Sequence, residues 1–244
     1  MRRLDGKTAV VTGGGSGIGL GAAKRFVEEG AFVYIFGRRQ EALDAALAQL
    51  GSRARAVRGS VADLADLDRL YETVKTEQGR LDVLFANAGT GTLAPLGEIT
   101  PEQYDETFDV NVKGLLFTVQ KALPLMSAGA SIILTGSTAG VMGMPQFSVY
   151  SASKAAIRTL ARSWAQDLRG TGIRVNVLSP GPTRTELATE VVGEDALAAL
   201  GATTPLGRVG EPSETGAVAA FLASSDSSFM TGGEVFVDGG LAQV

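Results

Sequence analysis

The chain contains neither cysteine nor histidine. Without cysteine there is no disulfide, no thiolate nucleophile and no sulfur ligand for zinc. Without histidine there is no Ser-His-Asp triad, no imidazole base and none of the commonest metal ligand. Proton chemistry must therefore fall to Tyr, Lys, Asp or Glu, and no metal site is expected. No apolar run reaches the roughly 18 residues of a membrane span, and no secretory leader precedes the first strand pattern. A cytoplasmic location is expected. There is no Pro/Ser linker, low-complexity run or internal repeat. The net charge of −4 argues against a broad nucleic-acid surface.

What is present is glycine and periodicity. Glycine supplies 32 of 244 residues, above the usual share of about 7%. Seven strand-like runs, near Thr8, Val33, Ala56, Val83, Ile133, Val175 and Val235, alternate with helical patterns. That alternation predicts an α/β fold, a doubly wound parallel sheet of about seven strands with helices on both faces. The length suits a single domain over residues 1–244.

Glycines concentrate between the first strand and the first helix. Lys7 to Val11 reads as a buried strand, and Thr12-Gly13-Gly14-Gly15-Ser16-Gly17-Ile18-Gly19 follows it. An amphipathic helical pattern then runs to Glu29, with Gly30 as its stop. A strand, a glycine-rich turn and a helix N-terminus make a cradle for phosphate, because free N–H groups and the helix dipole favour an anion. The spacing is Gly-x-x-x-Gly-x-Gly, although Gly-x-Gly-x-x-Ala also fits from Gly17 to Ala22.

A second pattern lies near the middle of the chain. Tyr150 and Lys154, spaced Tyr-x-x-x-Lys, open a helical run from Ser151 to Leu168, and Ser137 lies thirteen residues before Tyr150. Residues four apart share a helix face. A cation beside a phenol favours the phenolate and lowers its pKa from about 10, which suits general acid–base work.

Taken together, these motifs resemble the short-chain dehydrogenase/reductase family, within it most closely the bacterial NADPH-preferring secondary-alcohol dehydrogenases. The resemblance runs through almost the whole chain. Thr12 to Gly19 matches the cofactor loop, Asn87-Ala88-Gly89 the Asn-Ala-Gly segment, and Asn111-Val112-Lys113-Gly114 the Asn-x-x-Gly helix motif. Ser137 matches the catalytic serine, Tyr150 and Lys154 the Tyr-x-x-x-Lys, and Pro180-Gly181 the Pro-Gly turn. Two positions depart from the pattern. Ala86 stands where a second Asn is frequent, and Ser60-Val61 where Asp-Val usually flanks the adenine.

The resemblance implies a Rossmann-like fold and a catalytic set of Asn111, Ser137, Tyr150 and Lys154. Ser137 would hydrogen-bond the substrate oxygen and Tyr150 would exchange a proton with it. Lys154 would lower the tyrosine pKa and hold the nicotinamide ribose. Asn111 would anchor a water joining Lys154 to solvent, and the cofactor would carry the hydride. The implied cofactor contacts are Gly13, Gly15, Ser16, Gly17, Ile18 and Gly19, then Ser60 and Val61. They continue through Asn87, Ala88 and Gly89, Tyr150 and Lys154, to Pro180, Gly181 and Thr183.

The second strand speaks to the choice of nicotinamide cofactor. Val33-Tyr34-Ile35-Phe36 runs into Gly37-Arg38-Arg39, with no Asp or Glu for a ribose 2′-hydroxyl. Arginine suits a 2′-phosphate. Arg38 and Arg39 also precede a helix near Gln40, where a cation opposes the dipole and something negative should offset it. NADP(H) is favoured, with NAD(H) as the alternative.

The expected substrate is a small ketone or secondary alcohol. In the family, the segment from Thr183 to Leu206 is a lid over the substrate. Here it carries Leu187, Val191, Val192, Leu197 and Leu200 beside Glu186, Glu190, Glu194 and Asp195, a mix that suits a neutral, fairly apolar ketone. Phe147, Met144 and Thr90 to Thr92 fit either the pocket or the core. A 3-oxoacyl-(carrier protein) reductase shares the catalytic set, and Arg158, Arg162 and Arg169 would meet its acidic carrier. A polyol or sugar dehydrogenase and a nucleotide-sensing regulator without turnover are the other readings. The resemblance further implies a homotetramer. One interface would use a helix from Glu102 to Met126 with the tyrosine helix, and a second would use the tail Gly239 to Val244.

Overall fold

The structure, a computed structural model, describes residues 2–244. Seven strands form one parallel sheet in the order β3-β2-β1-β4-β5-β6-β7. They are β1 Thr8–Thr12, β2 Phe32–Gly37, β3 Ala54–Arg58, β4 Val83–Ala86, β5 Ser131–Thr135, β6 Arg174–Pro180 and β7 Glu234–Val237. All seven coincide with the strand-like runs of the sequence. The helices are α1 Gly17–Glu28, α2 Gln40–Leu50, α3 Leu64–Gln78, α4 Pro101–Phe108, α5 Leu115–Ala122, α6 Ser148–Asp167, α7 Glu186–Val192, α8 Glu194–Ala202 and α9 Pro212–Ala223.

Alternate side chains of each strand feed two cores. Val10, Tyr34, Leu84, Ile132 and Val177 pack with Leu67, Leu70, Val119 and Ile157 of α3, α5 and α6. Their neighbours Val11, Ile35, Phe85, Ile133 and Leu178 pack with Ala23, Phe26, Leu43, Ala219 and Leu222 of α1, α2 and α9. Strands buried on both faces read as continuous apolar runs, and that is why they were legible in the sequence.

Strand order reverses between β1 and β4, where Thr12 pairs with Ala86. The crevice beyond the carboxyl ends of strands at such a reversal is where open α/β sheets bind ligands.

The helix expected from Glu102 to Met126 is broken. A π-helical turn at Asp109–Gly114 separates α4 from α5, and Pro124 ends α5 in a short 3₁₀ turn, Leu123–Leu125. The extra residue in the turn accommodates two contacts. A Cβ on Gly114 would stand 2.9 Å from the Val61 carbonyl oxygen, so only glycine lets that loop rest on the helix. Asn111 turns inward and is wholly buried. Such π turns concentrate at functional sites.

Candidate active site

The carboxyl ends of β1, β2, β4, β5 and β6 surround one cavity of about 660 Å³, roofed by α7 and α8. Its floor is the glycine turn. Gly13 has φ +66° and Gly17 φ +51°, values that favour glycine. A Cβ on Gly19 would collide with the Gly13 carbonyl oxygen, so the turn closes this tightly only without one. Ser16 is the N-cap of α1, yet its side chain makes no bond to the helix's first amides. Those donors therefore stay available to an anion at the mouth of the cavity.

Asn87 staples the strand ends together. Its main-chain N–H and that of Ala88 donate to Thr12 Oγ1 at 3.0 and 3.1 Å, and its Nδ2 donates to the Thr12 carbonyl at 3.1 Å. Thr135 Oγ1 donates to Asn87 Oδ1 at 3.3 Å. The carboxyl ends of β1, β4 and β5 are thus tied together at the floor of the crevice by hydrogen bonds.

Ser137, just past β5, caps the turn Thr138–Gly140, with Oγ accepting from the Ala139 N–H at 3.1 Å. That bond leaves the hydroxyl proton free to donate into the cavity. Tyr150 sits in the first turn of α6, its ring edge-on to Phe147 with centroids 5.0 Å apart. Lys154 lies one turn on, buried, with Nζ donating at 2.9 Å to the Thr135 carbonyl and 5.5 Å from the Tyr150 ring centroid.

The lowering of the Tyr150 pKa expected from the Tyr-x-x-x-Lys spacing is not what this geometry produces. Burial pushes the phenol above its ordinary value, and the Ser137 hydroxyl only partly opposes that. The same burial lowers Lys154 to about 8. Both shifts follow from desolvation, which disfavours phenolate and ammonium alike.

Asn111 stands behind this group. Its Oδ1 accepts from the Thr90 N–H at 2.8 Å, and its Nδ2 donates to the Thr90 carbonyl at 2.8 Å and to Ser153 Oγ at 3.0 Å. The side chain is fully occupied in holding the loop after β4 against α6. The water anchor expected of this residue would have to use its main-chain carbonyl.

Every other residue singled out for catalysis or cofactor binding lines the cavity, with Gly19 and Asn111 in the layer behind. Ser60 and Val61 form part of the wall, and the Asp66 carboxylate, accepting from the Ser60 N–H at 2.8 Å, fixes the turn. Pro180, Gly181 and Thr183 continue it from β6, where Thr183 bridges to Gly210. Met144 and Phe147 face the cavity and are not core. Thr90 and Gly91 of the Thr90 to Thr92 segment also line the cavity. Sequence reasoning missed Thr12 and Thr135 as the acceptors that hold Asn87 and Lys154, the close approach of Gly91 to the Tyr150 ring, and Leu241 in the wall.

A family model described as Enoyl-(Acyl carrier protein) reductase matches residues 13–242. The chain belongs to the short-chain dehydrogenase/reductase family. Among its relatives, Oxidoreductase asL5 of Sarocladium schorii is 64% identical over 100% of this chain and 99% of its own length. The NADP-dependent (R)-specific alcohol dehydrogenase of Lentilactobacillus kefiri is 36% identical over 98% and 97%. The crystal structure of levodione reductase superposes with a TM-score of 0.95 at 28% identity, covering 98% of this chain and 99% of that one. The short-chain dehydrogenase/reductase fold thus accounts for the whole sheet and its nine helices among the described residues. None of those helices is long and apolar enough to cross a membrane.

Proposed function

We propose that the chain transfers hydride between NADP(H) and an apolar ketone or secondary alcohol. The observation that carries this reading is that one cavity joins three features. They are the uncapped glycine cradle, the Ser137-Tyr150-Lys154 group, and a β2 end that presents Arg38 and Arg39. The cradle fits a pyrophosphate, since Gly13, Gly15, Ser16, Gly17 and Ile18 all face it. The arginines fit a 2′-phosphate. The nicotinamide, when bound, supplies the hydride exchange at the carbinol carbon.

The chain's own residues handle the oxygen and its proton. Ser137 donates a hydrogen bond to the substrate oxygen and orients it. Tyr150, kept protonated by burial, gives its proton to that oxygen in the direction of ketone reduction. Lys154 places a cation beside the phenolate that results. Asn111 is a positioning residue that fixes the Thr90 loop and, through Ser153, the first turns of α6.

Substrate character follows from the far wall. Met144, Phe147, Leu187, Val191, Leu197, Leu200 and Leu241 make it apolar, with Glu190 at its rim. This favours a neutral apolar ketone over a sugar or polyol. The carrier-protein reading loses one of its basic residues, because Arg158 points to Glu234 of β7, 3.9 Å away. A homotetramer is part of the proposal. Leu115, Val119, Ile157 and Ala161 are spent on the subunit's own core, but Tyr104, stacked on Phe108, is 47% exposed, and Phe229 and Val244 are fully exposed.

The test is to mix the protein with NADPH and a panel of ketones and follow the absorbance of the reduced nicotinamide. Oxidation by apolar ketones is expected. Oxidation only by acyl thioesters would favour the carrier-protein enzyme, and none with any carbonyl compound would favour a regulator.

A further inference from the structure

Arg39 is the N-cap of α2, and no side chain caps that helix. The cation is badly placed against the helix dipole, and the structure shows what offsets it. The Arg39 guanidinium donates to Glu186 Oε2 at 2.9 Å and to Ser16 Oγ at 3.3 Å. Glu186 is the first residue of α7, on the opposite wall of the cavity. Its neighbour Thr185 reaches the glycine turn, where a Cβ on Gly17 would stand 3.1 Å from the threonine methyl. The ion pair therefore crosses the cavity mouth above the cradle.

Arg38 is different, since none of the ion pairs among the described residues includes it. Of the two arginines, one is free to meet a phosphate and the other is already engaged by a carboxylate. A phosphate monoester carries about −1.5 to −2 charges near neutral pH. To recruit Arg39 it must draw the guanidinium away from Glu186 while tolerating that carboxylate nearby. A 2′-hydroxyl asks nothing of Arg39 and leaves the pair intact.

We infer that Glu186 is a coenzyme-discriminating residue that acts through Arg39, weakening the preference for a 2′-phosphorylated dinucleotide. This rests on the reading that the cavity binds a nicotinamide dinucleotide. Both side chains are about three-fifths exposed, at 61% and 62%, so the effect has the size of a surface ion pair. Exposure also makes the substitution safe for folding.

Calorimetric titration of the whole protein with NADPH and with NADH tests it. Glu186→Gln should tighten NADPH about three- to fivefold and move NADH less than about twofold. In an Arg39→Gln background the same substitution should move the NADPH-to-NADH ratio less than about twofold, because the residue it acts through is gone. Raising the salt concentration should narrow the gap between Glu186→Gln and the unaltered protein. An equal shift for both coenzymes, or one that persists without Arg39, would overturn the role of Glu186 and leave the dinucleotide site standing. No heat with either coenzyme would remove the dinucleotide site itself and the inference with it.

Discussion

Lys154 Nζ lies 5.5 Å from the centroid of the Tyr150 ring, and its hydrogen bond goes to the Thr135 carbonyl at 2.9 Å. The lysine thus sits beside the ring with one of its N–H donors bonded to the end of β5. In the proposed reaction Tyr150 exchanges a proton with the substrate oxygen that Ser137 orients. Tyr150→Phe keeps the ring and deletes the proton. Turnover should fall about 10²- to 10⁴-fold, with fold and NADPH affinity retained. Because burial raises the phenol pKa, the ketone-reduction rate should hold through neutral pH and decline only in the alkaline range. Alcohol oxidation should rise there. Turnover within threefold of the unaltered protein would remove Tyr150 from this role.

Gly91 faces the same ring. A Cβ built on it would stand 2.6 Å from Tyr150 Cδ2, closer than van der Waals contact allows, so Gly91→Ala must displace the phenol. Displacements of about 1 Å at a reacting group can cost about 10²-fold. A fall in kcat of about 10- to 100-fold is expected, with NADPH affinity unchanged by calorimetry. Gly91 would be only a loop residue if kcat held within twofold.

Arg38 tests the coenzyme assignment. Arg38→Asp removes a phosphate partner and adds a like charge, together worth roughly 1–3 kcal/mol at a partly exposed site. NADPH should weaken by the corresponding factor, and NADH should stay the same or improve. Initial-rate kinetics with both coenzymes decide it, and a common factor for the two would show that Arg38 does not read the 2′-phosphate.

Glu29, at the end of α1, gathers Arg3 and Arg25 on Oε1 at 2.6 and 2.9 Å and accepts from the Arg3 main-chain N–H at 3.0 Å. These bonds, the Arg3 side chain first, hold its carboxyl down at about 2 against 4.5 unfolded. The folded state therefore binds fewer protons between those values. The stabilisation is complete above about pH 4.5 and drains away as pH falls toward 2. Discounted for the partly exposed arginines, Glu29→Gln should cost about 1–2 kcal/mol near pH 7, a Tm drop of about 2–8 °C. Thermal melts at pH 7 and pH 3 should show that gap narrowing at the lower pH. A gap that widened instead would contradict the assignment.

The exposed Phe229, Val244 and Tyr104 point to assembly, since large apolar surfaces are rarely left to water. Light scattering on the purified protein should give about four times the 25.2 kDa chain mass. A mass near that of one chain at micromolar concentration would reject the tetramer.

The amino-acid sequence alone determined the seven strands, because a strand buried on both faces must be apolar along its whole length. It also determined the glycine turn and the Tyr150–Lys154 pair, since both are local spacings on one turn or one helix face. Short-range chemistry did not determine what those groups touch. That Lys154 donates to the Thr135 carbonyl, that Gly91 presses on Tyr150 and that Leu241 lines the apolar wall depend on strand order. Strand order brings together segments far apart in the chain. The break at Asp109–Gly114 was hidden for the same reason. Its residues read as ordinary helix, and only the approach of Val61 to Gly114 and of Thr90 to Asn111 demands the extra residue in the turn. The charge that offsets Arg39 lies 147 residues away on α7. Local sequence could show that a partner was needed, but only the tertiary structure could supply Glu186, because ion pairing depends on distance in space and is indifferent to distance along the chain.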